Sequence, residues 1–362
     1  MSDLPIMGRD DRVYERLADA LDKLPNGFPR TSSKVEILIL KKIFSDDDAA
    51  LAGLLSVVYE PIAEIARRAG ADEGDLKLRL VDMSKRGLLW MSRKGAKLAF
   101  RLAPFIVGIY EAQLESMDHE FAHLFEEYME EGGAAGLMKP QPALHRVVPS
   151  QGAVKSEWIL PYDDIKSMLE NSKSFRVRDC ICRVEQDVLQ RRRCDFPVKN
   201  CMMFSPVERP KRPNDISKEQ ALILLDETEE LGLVHTVSNV IKDVYYVCNC
   251  CGCCCAILRG VTDWGIEESV ARANYYAVID RDTCNSCGVC IDRCQVDAMI
   301  EKDDVVDVRL EKCVGCGLCV TGCPTQAAKL MRKPDSEKID PPEDFDAWER
   351  LRLENRGLKA GK

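Results

Sequence analysis

The first third of the chain alternates between segments with a helical hydrophobic period and short apolar runs of strand type. Apolar side chains recur at helical spacing in residues 34–44, 61–71 and 73–87. Two short apolar runs, LLWM and LAFRLA, then flank the basic tip SRKGAK, which is typical of a hairpin. Because helices and hairpin follow one another in the order of a winged helix-turn-helix, we predict a winged-helix-like domain with an N-terminal arm over residues 1–103.

The middle of the chain continues with the helical period and then becomes irregular. Residues 104–131 are predicted to form one long helix, and a linker rich in glycine and proline completes the segment 104–150. Further on, SEWILP and SFRVRDC are strand-like, while YDDIKSMLENS and KEQALILLDETEE are helical. This mixture predicts an α+β domain over residues 151–272.

The cysteines divide the chain sharply. All eighteen lie between Cys180 and Cys323, and the last eight form two runs of the pattern C-x2-C-x2-C-x3-C. This repeated pattern is the signature of bacterial ferredoxins that carry two [4Fe-4S] clusters. We therefore predict a bacterial-type two-cluster ferredoxin domain over residues 273–332, in preference to a zinc ribbon or a disulfide framework.

The ligands of the two predicted [4Fe-4S] clusters follow from the spacing. Each run supplies three thiolates to one cluster and its fourth cysteine to the other. One cluster is therefore expected to bind Cys284, Cys287, Cys290 and Cys323. The other is expected to bind Cys313, Cys316, Cys319 and Cys294. Gln295 stands where the first run would usually continue with proline, a departure that removes no ligand.

Ten further cysteines lie upstream, too many to be explained as small buried hydrophobic residues. Neighbouring side chains in CNCCGCCC point apart, so this stretch is expected to serve two sites, or one site with spare thiols. Nearby arginines would favour the thiolate form and offset the charge of a thiolate-bound cluster. In the favoured partition a third centre binds Cys180, Cys182, Cys194 and Cys201, and a fourth binds some of Cys248, Cys250, Cys251, Cys253, Cys254 and Cys255, with exchange between the groups left open. One or two further [4Fe-4S] clusters are predicted there, with a zinc ion, a less ordinary multi-iron cluster or a reactive dithiol as alternatives.

Charge and hydropathy restrict the partners and the location. The formal net charge of -9 disfavours nucleic acid as a partner. Neither a signal peptide nor an apolar run of membrane-spanning length is visible, so we expect a cytoplasmic protein with reduced cysteines and no membrane span. Residues 333–362 are expected to form an acidic tail that docks a partner or is solvated, with Trp348 either an anchor or folded back on the body.

Two alternative functions have specific sequence features behind them. His119 and His123 belong to an H-E-x-x-H motif, the zinc-binding pattern of metallopeptidases, but no third ligand is obvious. The winged-helix-like domain could bind DNA in a redox-sensing iron–sulfur transcriptional regulator. Its recognition-helix candidate, residues 73–87, begins with acidic residues, whereas a DNA-binding surface shows a basic excess.

The motifs together resemble those of a known group. CICR, LGLVH, CNCCGCCC and the twin ferredoxin runs, in this order, resemble multi-cluster 4Fe-4S ferredoxin-like proteins of anaerobic bacteria and archaea. The resemblance implies electron transfer in anaerobic metabolism, with a redox partner such as a flavoprotein or another oxidoreductase subunit. It also implies a helix at 104–131 without the histidine pair. The favoured hypothesis is an iron–sulfur electron carrier or electron-transfer subunit that has no catalytic residues of its own.

Overall fold

The computed structural model describes residues 11–95, 97–302 and 305–359. Two compact units are formed, one by the described residues within Met1–Pro140 and Glu349–Lys362, the other by Gln141–Trp348. Helices and strands are mixed along the chain, as predicted for an α+β protein. Within the described ranges, no helix combines the length and hydrophobicity that crossing a membrane requires.

The helices of the described residues are short to medium in length. In chain order they are α1 Asp11–Asp22, α2 Val35–Ile43, α3 Asp46–Ala52, α4 Ile62–Ala69, α5 Glu73–Lys85, α6 Tyr110–Ala112, α7 His119–Tyr128, α8 Ala134–Met138, α9 Ile165–Glu170, α10 Ile181–Val188, α11 Lys218–Glu230, α12 Ala256–Thr262, α13 Val289–Asp292, α14 Leu318–Thr321 and α15 Phe345–Asn355. The strands are β1 Glu60–Pro61, β2 Leu89–Lys94, β3 Lys97–Leu102, β4 His145–Val148, β5 Ser174–Asp179, β6 Lys199–Ser205, β7 Asp215–Ile216, β8 Val234–Ser238, β9 Tyr246–Cys250, β10 Tyr275–Ile279, β11 Met299–Lys302, β12 Val305–Val308 and β13 Ala328–Arg332.

The first unit follows the predicted order of helices and hairpin. The side chain of Asp72 caps α5 by accepting the N–H groups of Gly74 and Asp75, and the apolar face of this helix is buried. β2 and β3 form the hairpin, and β1 pairs with β3 on its other side. The assignment of these elements to the winged-helix class stays a prediction.

The single helix predicted over residues 104–131 is interrupted. The backbone is extended at Met117, and Asp118 then starts α7 by accepting the N–H of Phe121 with its carboxylate. The hydrophobic period continues across this break because the segments before and after Met117 both bury apolar side chains. Another interruption lies nearer the start, where Ile106, Val107 and Gly108 have non-helical backbone angles. Gly132, with a φ of 116° that glycine adopts readily, follows the predicted end of the helix.

The second unit is built on an antiparallel sheet whose strand order differs from the order along the chain. In the described residues its strands lie in the order β4-β8-β9-β6-β5-β7. One face is covered by apolar side chains of α9 and α11, including Ile165, Leu169 and Leu225. The segment SEWILP, predicted as strand-like, instead forms a short 3-10 helix over Ser156–Trp158.

The ferredoxin region belongs to the same unit and consists of two strand pairs and two short helices. β10 pairs with β13, and β11 pairs with β12. α13 and α14 each follow a glycine with a left-handed backbone, Gly288 at φ 75° and Gly317 at φ 78°. These turns bring the first three cysteines of each run around one space.

The segment after residue 333 is folded back on the second unit as far as Trp348. The indole of Trp348 is 6% exposed and donates a hydrogen bond to the carbonyl of Ala143. The backbone N–H groups of Ile241 and Lys242 donate to the carbonyls of Pro342 and Glu343. Of the two interpretations given for Trp348, the structure matches the residue folded back on the body.

Candidate metal centres

The eight cysteines of the ferredoxin runs surround two separate spaces. One, of about 290 Å³, is lined by Cys284, Cys287, Cys290 and Cys323. The other, of about 320 Å³, is lined by Cys294, Cys313, Cys316 and Cys319. We call them the outer set and the inner set, because Cys287 of the first is exposed to solvent. These are the two groups of four that the spacing predicted, while ligation itself stays a prediction.

The thiols of the inner set are held in a less polar environment. Burial raises the pKa of Cys316 to about 12 and also raises the pKa of Cys294 and Cys319. At Cys323 of the outer set burial would raise the pKa, but hydrogen bonds from the backbone N–H of Ala328 and from Thr325 outweigh it and lower the pKa. Because iron binds thiolates, loading the inner set must release protons to the solvent.

Four upstream thiols form a compact group that we call the four-thiol group. It consists of Cys194, Cys251, Cys253 and Cys254, whose sulfur atoms all lie within 4.8 Å of one another. The Sγ–Sγ distances are 3.9 Å from Cys194 to Cys251, 3.8 Å from Cys194 to Cys254 and 3.6 Å from Cys253 to Cys254. No second group of this compactness occurs among the metal-binding side chains of the described residues.

The other six upstream thiols form a wider arrangement, which we call the six-thiol ring. Each thiol has two others as its polar neighbours, and the neighbours close a ring. Around the ring the order is Cys180, Cys182, Cys255, Cys250, Cys248 and Cys201.

Strand geometry explains the ring. Cys248 and Cys250 are alternate residues of β9, so their side chains lie on one face of the sheet. β6 and β9 are paired with Met202 opposite Val247, which brings Cys201 beside Cys248. Cys180 and Cys255 immediately precede α10 and α12, so two helix N-termini begin at the ring.

The observed grouping exchanges residues between the two predicted centres: Cys194 leaves the first, while Cys248, Cys250 and Cys255 join Cys180, Cys182 and Cys201. Cys194 lies with three cysteines of CNCCGCCC rather than with Cys180, Cys182 and Cys201. CNCCGCCC contributes to both groups, since Cys251, Cys253 and Cys254 face one group and the others face the ring. The expectation that neighbouring side chains point apart is wrong for Cys253 and Cys254, whose sulfur atoms lie 3.6 Å apart because the turn after β9 does not alternate its side chains as a strand does. The alternation Cys248-x-Cys250 within an apolar strand was the sequence signal for this division.

A buried arginine lies between the two groups. The side chain of Arg183 is fully buried, and it donates hydrogen bonds to the carbonyls of Asn249 and Pro197. Burial would lower the pKa of Arg183, but the charges of Cys180, Cys251 and Cys250 outweigh it and raise the pKa. Its Nε has no hydrogen-bond partner. A buried guanidinium in this position compensates negative charge on both groups of thiols.

The upstream thiols and the ferredoxin region meet at Gly252 and Gln295. The side-chain oxygen of Gln295 accepts the N–H of Gly252 at 3.0 Å, and its amide nitrogen donates to the carbonyl of Gly232, also at 3.0 Å. Gly252 lies between two cysteines of the four-thiol group, and Gln295 follows Cys294 of the inner set. The glutamine that replaces the usual proline therefore links two metal-binding regions.

Arg293 provides a second link between the ferredoxin region and the upstream part of the unit. Its guanidinium donates to the carbonyls of Glu229 and Glu230 at the C-terminus of α11, at 3.0 and 2.8 Å. Its Nε donates to the carbonyl of Leu318 in α14 at 2.8 Å. A cation at the C-terminus of a helix is favoured by the helix dipole, so Arg293 fixes the inner set against the end of α11.

The H-E-x-x-H motif lies at the exposed start of α7. The rings of His119 and His123 have centroids 6.5 Å apart, and both side chains are exposed. Glu120, which would act as general base in a metallopeptidase, is paired with Lys42. In the part of the chain that the structure describes, no third metal ligand joins the two histidines.

Comparison with known proteins identifies the class of the ferredoxin region. A family model described as a 4Fe-4S dicluster domain matches residues 277–331, which contain both sets of four cysteines. None of the curated proteins compared with the chain matches it. Residues 277–331 are thus a 4Fe-4S dicluster domain, and together with the upstream group of cysteines they support an iron–sulfur electron-transfer role.

Proposed function

We propose that the protein is an electron-transfer protein, or the electron-transfer subunit of a cytoplasmic oxidoreductase complex of anaerobic metabolism. It passes single electrons through several [4Fe-4S] clusters. The observation that carries this proposal is the pair of spaces inside the dicluster domain, each lined by four cysteines. The outer set and the inner set are the ligands of the two clusters.

The positions of the two sets suggest a direction for exchange. Cys287 of the outer set is exposed, so the outer cluster is the natural contact for a redox partner such as a flavoprotein or another oxidoreductase subunit. The inner set contacts the upstream thiols through Gln295 and Gly252. Electrons entering at the outer cluster can therefore continue inward, with potentials tuned by burial and by hydrogen bonds to sulfur.

The six-thiol ring is the proposed site of a third iron–sulfur cluster. It supplies more thiols than the four that a [4Fe-4S] cluster uses, and it lies beside the buried guanidinium of Arg183. Cluster ligation requires these cysteines to remain reduced, which supports the proposed cytoplasmic location.

The first unit is proposed to be a winged-helix-like module that contacts a partner protein. Arg68 is paired with Glu60, while Arg79 and Arg86 are both paired with Asp48. These intramolecular pairs occupy cations that a DNA-binding surface would direct at phosphates. No observation favours the redox-sensing regulator, and an electrophoretic shift of genomic DNA fragments at low salt by the loaded protein would contradict this assignment.

The experiment that tests the function compares cluster-directed variants of the full chain, purified anaerobically. Cys290→Ser removes a ligand of the outer set and Cys319→Ser one of the inner set. Each should lose one reduced [4Fe-4S] signal in electron paramagnetic resonance and about four iron atoms per chain. Asp282→Asn, at an exposed position near the outer set, is the control and should keep both signals. Wild-type protein that accepts no electrons from a low-potential donor would refute the proposal.

A further inference from the structure

The four-thiol group has the dimensions of a site for one metal ion rather than for a cluster. Four sulfur atoms at about 2.3 Å from a single tetrahedral ion are separated by about 3.8 Å. Three of the separations in the group are 3.6, 3.8 and 3.9 Å, and none exceeds 4.8 Å. A [4Fe-4S] cluster places its iron–sulfide core between the ligands, so its thiolates must stand considerably farther apart.

The dicluster domain of the same chain provides the contrast. Each of its two sets of four cysteines lines a pocket of its own. In neither set do three sulfur atoms lie within 4.8 Å of one another, as those of the four-thiol group do. The chain therefore holds its thiols at two spacings, a wide one in the dicluster domain and a narrow one in the four-thiol group.

The charges around the four-thiol group match a divalent ion. One divalent cation with four thiolates carries a net charge of about -2. Two arginines interact with the group, Arg183 through Cys251 and Arg192 through Cys194. Arg183 is shared with the six-thiol ring and Arg192 is also paired with Asp187, so the two guanidinium groups offset part of this charge and reduce the cost of burying it.

We propose that Cys194, Cys251, Cys253 and Cys254 bind a single zinc ion that takes no part in electron transfer. A closed tetrahedral site with four thiolates and no open position is the structural type of zinc site. Zinc also binds such ligands more tightly than ferrous iron does, by the general order of divalent-metal affinities. The assignment does not depend on the proposed electron-transfer function.

The ion would connect two segments of the chain that are distant in sequence. Cys194 lies in the irregular segment between α10 and β6, while the other three ligands lie in the turn between β9 and α12. Zinc joins these two segments. It thereby fixes Gly252, whose N–H is bonded to Gln295 beside the inner set.

The test measures zinc, iron and sulfide in the full chain produced anaerobically with both metals supplied. Wild-type protein should contain about one zinc per chain. Cys194→Ser should lower the zinc content at least tenfold while the signals of the outer and inner clusters persist. The double variant H119A/H123A, which removes both histidines of the H-E-x-x-H motif, is the control and should keep the zinc.

X-ray absorption at the zinc edge of wild-type protein keeps the test valid if Cys194→Ser does not fold. It should show four sulfur neighbours at about 2.3 Å and no iron neighbour. A loss of about four iron atoms in Cys194→Ser would overturn the single-ion assignment. A single iron in place of zinc, or zinc lost only with the histidines, would also overturn it.

Discussion

Substitution of Gly252 by alanine tests whether the upstream thiols are held directly against the ferredoxin region. A Cβ at this position would lie 1.9 Å from the carbonyl oxygen of Gln295 and 2.9 Å from its carbonyl carbon. Real Cβ atoms essentially never lie within 3.0 Å of such an atom, and ordinary contacts lie at 3.4–4 Å, so the two backbones must separate by more than about 1 Å. Both obstructing atoms belong to the backbone, and no rotation of a side chain relieves the contact.

The expected cost follows from the kind of contact. Overpacking of this kind costs about 1–3 kcal/mol. For a unit of roughly 200 residues, 1 kcal/mol lowers the melting temperature by about 2–4 °C. Gly252→Ala should therefore melt about 2–12 °C below wild type. The hydrogen bond from the N–H of residue 252 to Gln295 should lengthen or break.

The assay is anaerobic thermal unfolding of the loaded full chain, followed by circular dichroism and by the visible absorbance of the clusters. Gly152→Ala is the matched control, because a Cβ there meets only the ends of the Glu229 and Thr321 side chains, at 3.2 and 3.5 Å. It should change the melting temperature by less than about 2 °C. A Gly252→Ala protein that melts with wild type, with its full metal content, would refute the contact.

Three further substitutions test the link at Gln295, the compensating charge of Arg183 and a buried ion pair. Gln295→Ala loses the two hydrogen bonds to Gly252 and Gly232 and should cost about 1–3 kcal/mol in anaerobic urea unfolding; a midpoint equal to that of Asp282→Asn would contradict the link. Arg183→Met leaves buried thiolates uncompensated and should release metal from the upstream sites while both dicluster signals persist; unchanged zinc and iron contents would contradict its role. Arg146 and Asp163 form a buried ion pair at 2.7 Å, so Arg146→Met should cost about 3–5 kcal/mol, and adding Asp163→Leu should recover most of this loss in urea unfolding; equal stability of the single and double variants would show that the pair is not coupled.

The ferredoxin region was the most predictable part of the chain. The spacing of cysteines within each run is dictated by the shape of the cluster, so the sequence carries the grouping directly. The structure brings Cys284 together with Cys323, and Cys313 together with Cys294, as the spacing predicted. The short helices between the cysteines follow from the same constraint.

The upstream grouping could be predicted only in part, because it depends on contacts between distant segments. The pairing of β6 with β9 places Cys201 beside Cys248, and no local pattern encodes this register. Cys194 is reached from the turn after β9, about 60 residues away in sequence. The contact of Gln295 could not be predicted from the sequence for the same reason, since its partner Gly252 is distant in the chain.

The interruption of the helix predicted over 104–131 has a local cause that hydrophobic period does not report. Asp118 satisfies the N–H of Phe121 and so starts a new helix within an unbroken apolar pattern. The tail differs for the opposite reason. Its acidic composition suggested a solvated extension, but a few residues, above all Trp348, bury enough surface to fold it back.

Electron transfer through several [4Fe-4S] clusters is tested most directly by the content of iron and acid-labile sulfide in anaerobically prepared full-length protein, with electron paramagnetic resonance before and after reduction. We predict at least about eight iron atoms with matching sulfide per chain from the dicluster domain, and about four more when the six-thiol ring is loaded. It also predicts interacting signals from reduced [4Fe-4S] clusters. Fewer than about eight iron atoms in fully loaded protein, or clusters that cannot be reduced, would contradict it.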